Sequence, residues 1–152
     1  MELRRAAFVT AVCVALAGIA RAAEPDGALV RYRVVGDGIP VPLTSVPGDP
    51  RQGRVVAANS DRGNCLICHR APIAEVPVFG DVGPPLDGVG GRLDGAQLRL
   101  RLVDARKVNP ATIMPAYYKV EGLYRVAPRY RGRPMLSAQE IEDVLAYLAG
   151  LR

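Results

Sequence analysis

Cys65, Cys68 and His69 form a C-x-x-C-H run, and His69 is the sole histidine of this 152-residue chain. Two thiols at that spacing reach the two vinyl carbons of one porphyrin while the neighbouring imidazole turns inward to the iron, so the run marks covalent attachment of haem c. A fold that carries such a group must be built around it. Because no second histidine exists, the sixth iron position falls to methionine, lysine, water or nothing. A thiol redox pair would require a βαβ pattern around the cysteines, which the sequence lacks. A structural zinc site would need four ligands, and the only other cysteine is Cys13.

Cys13 lies in a segment of a different character. Residues 1–22 carry Arg4 and Arg5, an apolar run from Ala6 to Ala20, and then Ala20-Arg21-Ala22, an A-x-A cleavage pattern. The apolar run is shorter than the ~20 residues that cross a bilayer, so the segment reads as an export signal removed on maturation. No membrane span is expected after that cleavage. In bacteria haem c is attached after translocation, which makes the periplasm the expected location. The two remaining cysteines are then both committed to haem.

Removing residues 1–22 takes three of the 20 basic and one of the 15 acidic side chains, leaving a net charge of +3. That balance, with no zinc finger or basic arm, gives no reason to expect nucleic acid as a partner. The remaining chain has no Trp and only Phe79 as Phe, so its core must come from Val, Leu, Ile and Ala. Such a core is thin for about 130 residues, and a buried haem fills the deficit.

Residues 23–48 are rich in Pro and Gly and read as an extended N-terminal arm with one β-like run, Leu29 to Val35. Residues 49–152 read as one all-α domain. Asp49-Pro50 predicts a helix start, cap followed by proline, with the helix ending near Asn59. Residues 71–92 are dominated by Gly and Pro and predict irregular loop. Asp94 with Gln97 predicts a capping box and a helix to about Val108, against the competing strand reading of the alternating Leu98 to Leu102 run. Ser137 with Glu140 predicts a second capping box, followed by Ile141, Val144, Leu145 and Leu148 at helical spacing.

Met1 leaves with the signal, so the sixth ligand is to be chosen between Met114 and Met135. Met114 stands in Thr112-Ile113-Met114-Pro115, a Pro-flanked loop well before the last helix, whereas Met135 adjoins the Ser137 cap and reads as core filler. Met114 is therefore the expected thioether ligand, with Lys107 and Lys119 as alternatives at high pH. His/Met ligation saturates the iron and leaves no open site for substrate, which points to a relay. Tyr117, Tyr118, Tyr124 and Tyr130 with Arg125, Arg129, Arg131 and Arg133 follow the methionine; Tyr and Arg are enriched in interface hot spots, and the alternative is a solvated basic loop with the tyrosines packed inward.

The stretch Val82-Gly83-Pro84-Pro85-Leu86-Asp87-Gly88-Val89-Gly90-Gly91-Arg92 resembles the G-P-x-L-x-G loop and following G-R of class I cytochromes c. That resemblance implies the class I fold, helices packed around one covalently bound haem. It also implies that the Pro84 carbonyl accepts from the His69 Nδ1, that Leu86 packs on the haem and that Arg92 approaches a propionate. Asn109-Pro110-Ala111-Thr112-Ile113-Met114-Pro115-Ala116-Tyr117-Tyr118, with Gln97 to Asp104 and Gln139 to Leu148, resembles more closely the SoxX subunits of SoxAX cytochrome complexes. The implied partner is a SoxA-like cytochrome subunit, on which thiosulfate is joined oxidatively to a carrier-protein cysteine. Electrons would then pass to a soluble acceptor. The alternative is a free-standing periplasmic electron carrier.

Overall fold

The computed structural model describes residues 29–152, and the expected signal at residues 1–22 lies outside them. Four α-helices form among the described residues, α1 (Pro50–Ala58), α2 (Val89–Arg92), α3 (Gly95–Asp104) and α4 (Ala138–Gly150), and all but α2 start where a cap predicts them. Asp49 accepts from the Arg51 N–H with Pro50 at the first helical position, and the Asn59 N–H closes α1 on Val55 and Val56. Reciprocal capping boxes, Asp94 with Gln97 and Ser137 with Glu140, open α3 and α4. Each box satisfies two backbone N–H groups that a helix start leaves without an intrahelical partner.

Three differences from the sequence reading have local causes. The helix expected to reach Val108 ends at Asp104, whose side chain turns back to accept from the Arg106 N–H and starts a separate 3-10 turn, Ala105–Lys107. The β-like run at Leu29 to Val35 finds no neighbouring strand among the described residues and makes only the isolated bridge Val35 to Gly38. The loop expected over 71–92 closes on the short helix α2.

α1, α2 and α3 all pack on α4, the α1–α4 contact being the most extensive. That crossing is close because Gly53 presents no side chain: a Cβ there would stand 1.9 Å from the Asp143 carbonyl oxygen. Ile141, Val144 and Leu148 of α4 meet Val56, Ala57, Leu98, Leu102 and Val103 in one buried cluster. Leu136, just before the Ser137 cap, is buried in the same cluster.

The described part of the arm is fastened to this core. The Ile39 N–H donates to the Ala96 carbonyl, and the Leu43 N–H donates to Glu142 Oε1. Glu142 also receives Arg99 Nε and Nη2 at 2.7 and 2.9 Å, while Arg99 Nη1 reaches the Ile39 carbonyl. Both charged side chains are buried, so the pair is tolerable only because nearly every donor and acceptor is matched. Asp143 likewise receives the Asp49 N–H and Gln139 Nε2. Residues 39–49 thus belong to the packed domain.

Candidate haem site

The segment after α1 turns on Asn59 and Asn64. Asn64 takes a left-handed conformation (φ 47°), which Asn tolerates better than most residues, and the chain then enters the 3-10 turn Cys65–Ile67. The Cys68 and His69 N–H groups both donate to the Cys65 carbonyl, so the turn brings the two thiols and the imidazole together. All three line one cavity of about 620 Å³.

The ring of His69 is held from behind. Its Nδ1 is 2.7 Å from the Pro84 carbonyl oxygen, so Nδ1–H donates and Nε2 is left free to act as a ligand. Gly83 makes this approach possible. A Cβ on Gly83 would lie 2.3 Å from Cε1 of the ring and 2.5 Å from Nδ1. The Gly83 N–H donates to the Cys68 carbonyl at 2.7 Å, and the Leu86 N–H to the Arg70 carbonyl at 2.8 Å, which fixes the Gly-Pro-Pro-Leu loop against the attachment turn.

Pro84 and Leu86 line the cavity. Arg92 does not: it donates to the Asp87 carbonyl at 2.7 Å and the Pro85 carbonyl at 3.0 Å, bracing the loop rather than facing the hollow. The arginine that lines the cavity is Arg101 of α3, with Nη1 on the Gln97 carbonyl. The sequence signal for it was its position three residues after Leu98, a further lining residue on the same helical face.

Met114 lines the same cavity, and so does Met135. Their settings differ. Both are partly buried and packed against the hydrophobic cluster, but Met135 lies just ahead of buried Leu136 and the Ser137 cap of α4. Met114 sits on the segment that follows the 3-10 turn Ala105–Lys107. There Asn109 Oδ1 accepts from the Ala111 N–H, the Asn109 carbonyl from the Thr112 N–H, and Thr112 Oγ1 from the Met114 N–H. This Asx-type turn is what Asn-Pro predicts.

Of the four tyrosines after the methionine, Tyr117 and Tyr118 take the inward packing that stands against an interface role and are buried core side chains, while Tyr124 is 90% exposed. The Tyr117 hydroxyl donates to the Gly63 carbonyl at 2.8 Å, tying the methionine segment to the residue two before Cys65. Burial raises the Tyr117 phenol pKa, and burial pushes the Cys65 thiol up to about 11. Both groups therefore remain neutral at physiological pH and add no charge to the apolar hollow.

These residues fit a haem. The hollow lies within the size range of cofactor pockets, its walls are mainly apolar, and one imidazole, two thioethers and two thiols line it. No helix among the described residues is long and apolar enough to cross a membrane.

Comparison with known proteins agrees with this construction. The sequence model of the family described as Cytochrome c matches residues 52–152. A chain of the solved structure "Crystal structure of SoxXA from P. pantotrophus" superimposes with a TM-score of 0.74 at 37% sequence identity, covering 79% of this chain and 93% of that one. No curated protein matches.

Proposed function

This chain belongs to the cytochrome c family, is SoxX-like and carries one covalent haem c, and from that footing we propose that it is the electron-transfer subunit of a periplasmic SoxAX-like complex. In this reading the complex couples thiosulfate oxidatively to a cysteine of a carrier protein, an L-cysteine S-thiosulfotransferase activity. The observation that carries it is the cavity that joins Cys65, Cys68 and a Pro84-locked His69, in a chain 37% identical to a SoxXA structure.

When bound, the haem supplies a one-electron iron couple. The chain's own residues do the rest. Cys65 and Cys68 would hold the group covalently, His69 would ligate its iron from a fixed ring orientation, and Met114 would supply the second protein ligand. The Pro84 carbonyl increases the basicity of the imidazole, and Leu86, Leu98 and Leu102 keep water from the group. With His69 and Met114 both committed to the group, it would exchange electrons without binding substrate, so the sulfur chemistry would belong to a SoxA-like partner subunit and a soluble protein would accept the electrons.

The test is co-expression with the SoxA-like subunit of the same bacterium, followed by purification from the periplasmic fraction. The expected result is a stable heterodimer, together with loss of thiosulfate-dependent cytochrome reduction when this gene is deleted. A monohaem protein that purifies alone, with thiosulfate oxidation undiminished on deletion, would establish the free-standing carrier instead.

A further inference from the structure

The segment that bears Met114 leaves α3 at Asp104 and returns to it at Tyr117 and Tyr118, whose N–H groups donate to the Leu102 and Val103 carbonyls at 3.2 and 3.3 Å. Between these points its hydrogen bonds are local, those to the Ala105 and Asn109 carbonyls, Asn109 Oδ1 and the Thr112 hydroxyl, and at its far end the Tyr117 hydroxyl donates to the Gly63 carbonyl. What keeps Met114 at the cavity is therefore decided at the base of the segment. The base holds an ion pair: the Asp104 carboxylate, 2% exposed, accepts from Lys119 Nζ at 3.0 Å. A roof lies over it. The Val30 N–H donates to the Tyr118 hydroxyl at 2.9 Å, and the Tyr32 phenol lies close enough to Asp104 and Lys119 to feel both charges.

Asp104 has two tasks at once. Its side chain ends α3 by accepting from the Arg106 N–H at 3.3 Å, and it receives the ammonium that arrives from the far end of the segment. Removing the ammonium leaves a buried carboxylate with one weak backbone donor, a state that is relieved by letting the base open and water in. An open base lengthens the free segment and lets Met114 leave the cavity.

We propose that the Asp104–Lys119 pair is a positioning latch that closes the base of the Met114 segment and sets how readily an external ligand displaces the thioether. The proposal rests on Met114 being the sixth ligand. An external ligand binds only the open form, so its apparent affinity scales with the open fraction. The latch thus predicts a ligand-exchange effect that a general stabilising contact would not produce.

The experiment titrates imidazole into the ferric, haem-loaded protein and follows the thioether-to-iron charge-transfer band. The latch predicts that Lys119→Gln binds imidazole roughly tenfold more tightly, with unchanged covalent haem content, and that Lys119→Arg restores the unmodified affinity. Glu142→Gln breaks the other buried pair, and it is expected to lower the melting temperature while leaving imidazole affinity alone. If Lys119→Gln does not accumulate, Asp104→Asn opens the same latch and keeps an acceptor for the Arg106 N–H. A lowered melting temperature with imidazole affinity within about twofold of the unmodified protein would make the pair a plain fold contact and overturn the latch. Absence of the thioether band from the unmodified protein, or its survival in Met114→Ala, would overturn the latch together with the ligand assignment beneath it.

Discussion

The wall that carries His69 and the wall that carries Met114 enclose one cavity but are built in opposite ways. On the histidine side the bonds are closely spaced: Gly80 to Leu66, Gly83 to Cys68, Leu86 to Arg70, and the ring itself to Pro84. On the methionine side the chain is tied at its two ends, and Met114 hangs between them on one side-chain bond from Thr112. The imidazole is thus held by its neighbours and the thioether by its ends. Damage should accordingly be local and severe on the first wall, graded and transmitted from a distance on the second.

Gly83→Ala should have the largest effect. Its Cβ would stand within 2.7 Å of three ring atoms, and the loop cannot retreat because Gly83 and Leu86 are bonded to the attachment turn. Overpacking at such a point costs about 3 kcal/mol and turns the ring away from its Pro84 acceptor. The expected result is a protein with little covalently bound haem, measured as the haem-to-protein ratio. Normal loading would mean that this wall is as yielding as the other.

Met114→Ala is expected to come next, and it leaves haem loading intact. The thioether band disappears, and the reduction potential falls by roughly 0.1 V or more, within the ~0.8 V that axial ligands span. Met135→Leu, at the other methionine of the cavity, keeps both signals. The reverse pattern would exchange the roles of the two methionines.

Arg99→Met tests whether this contrast is confined to the walls. It strands the buried Glu142 carboxylate, which also accepts from Leu43, and should cost about 3 kcal/mol of stability while the haem spectrum stays unchanged. A spectral change would show that the arm and the cavity are coupled.

Much of this architecture could be read in advance, because helix starts depend on residues three positions apart. Asp49-Pro50, Asp94 with Gln97, and Ser137 with Glu140 each act within one turn, and each cap forms. The attachment turn and the Gly-Pro loop are legible for the same reason: their chemistry is local. Long-range placement was less accessible. Arg92 and Arg101 carry the same charge a few residues apart, and only the packing of α3 decides that the second lines the cavity while the first braces the loop. Nothing in the run of tyrosines separates Tyr117 and Tyr118, which are buried, from Tyr124, which is exposed. The docking of residues 39–49 was illegible in the same way. It depends on Arg99 and Glu142, one from each of two helices, meeting the arm's backbone.

The smallest effect expected concerns how the histidine wall is anchored to α4. Arg62, three residues before Cys65, is bonded to Glu140, which also accepts from the Ser137 N–H in the capping box. Burial pushes the Glu140 pKa up, but the Arg62 and Ser137 bonds pull harder, and the net shift is below the ordinary 4.5. A carboxylate with a lowered pKa stabilises the fold above its unfolded value, and that contribution is lost as the pH falls through the folded value. Glu140→Gln keeps an acceptor for Ser137 and removes only the charge. The melting temperatures of the two proteins should therefore differ slightly near neutrality, converge below pH 4.5, and differ less in high salt because Arg62 is half exposed. A difference that persists at low pH would assign the effect to the cap instead of the ion pair, leaving the histidine wall anchored by its backbone bonds alone.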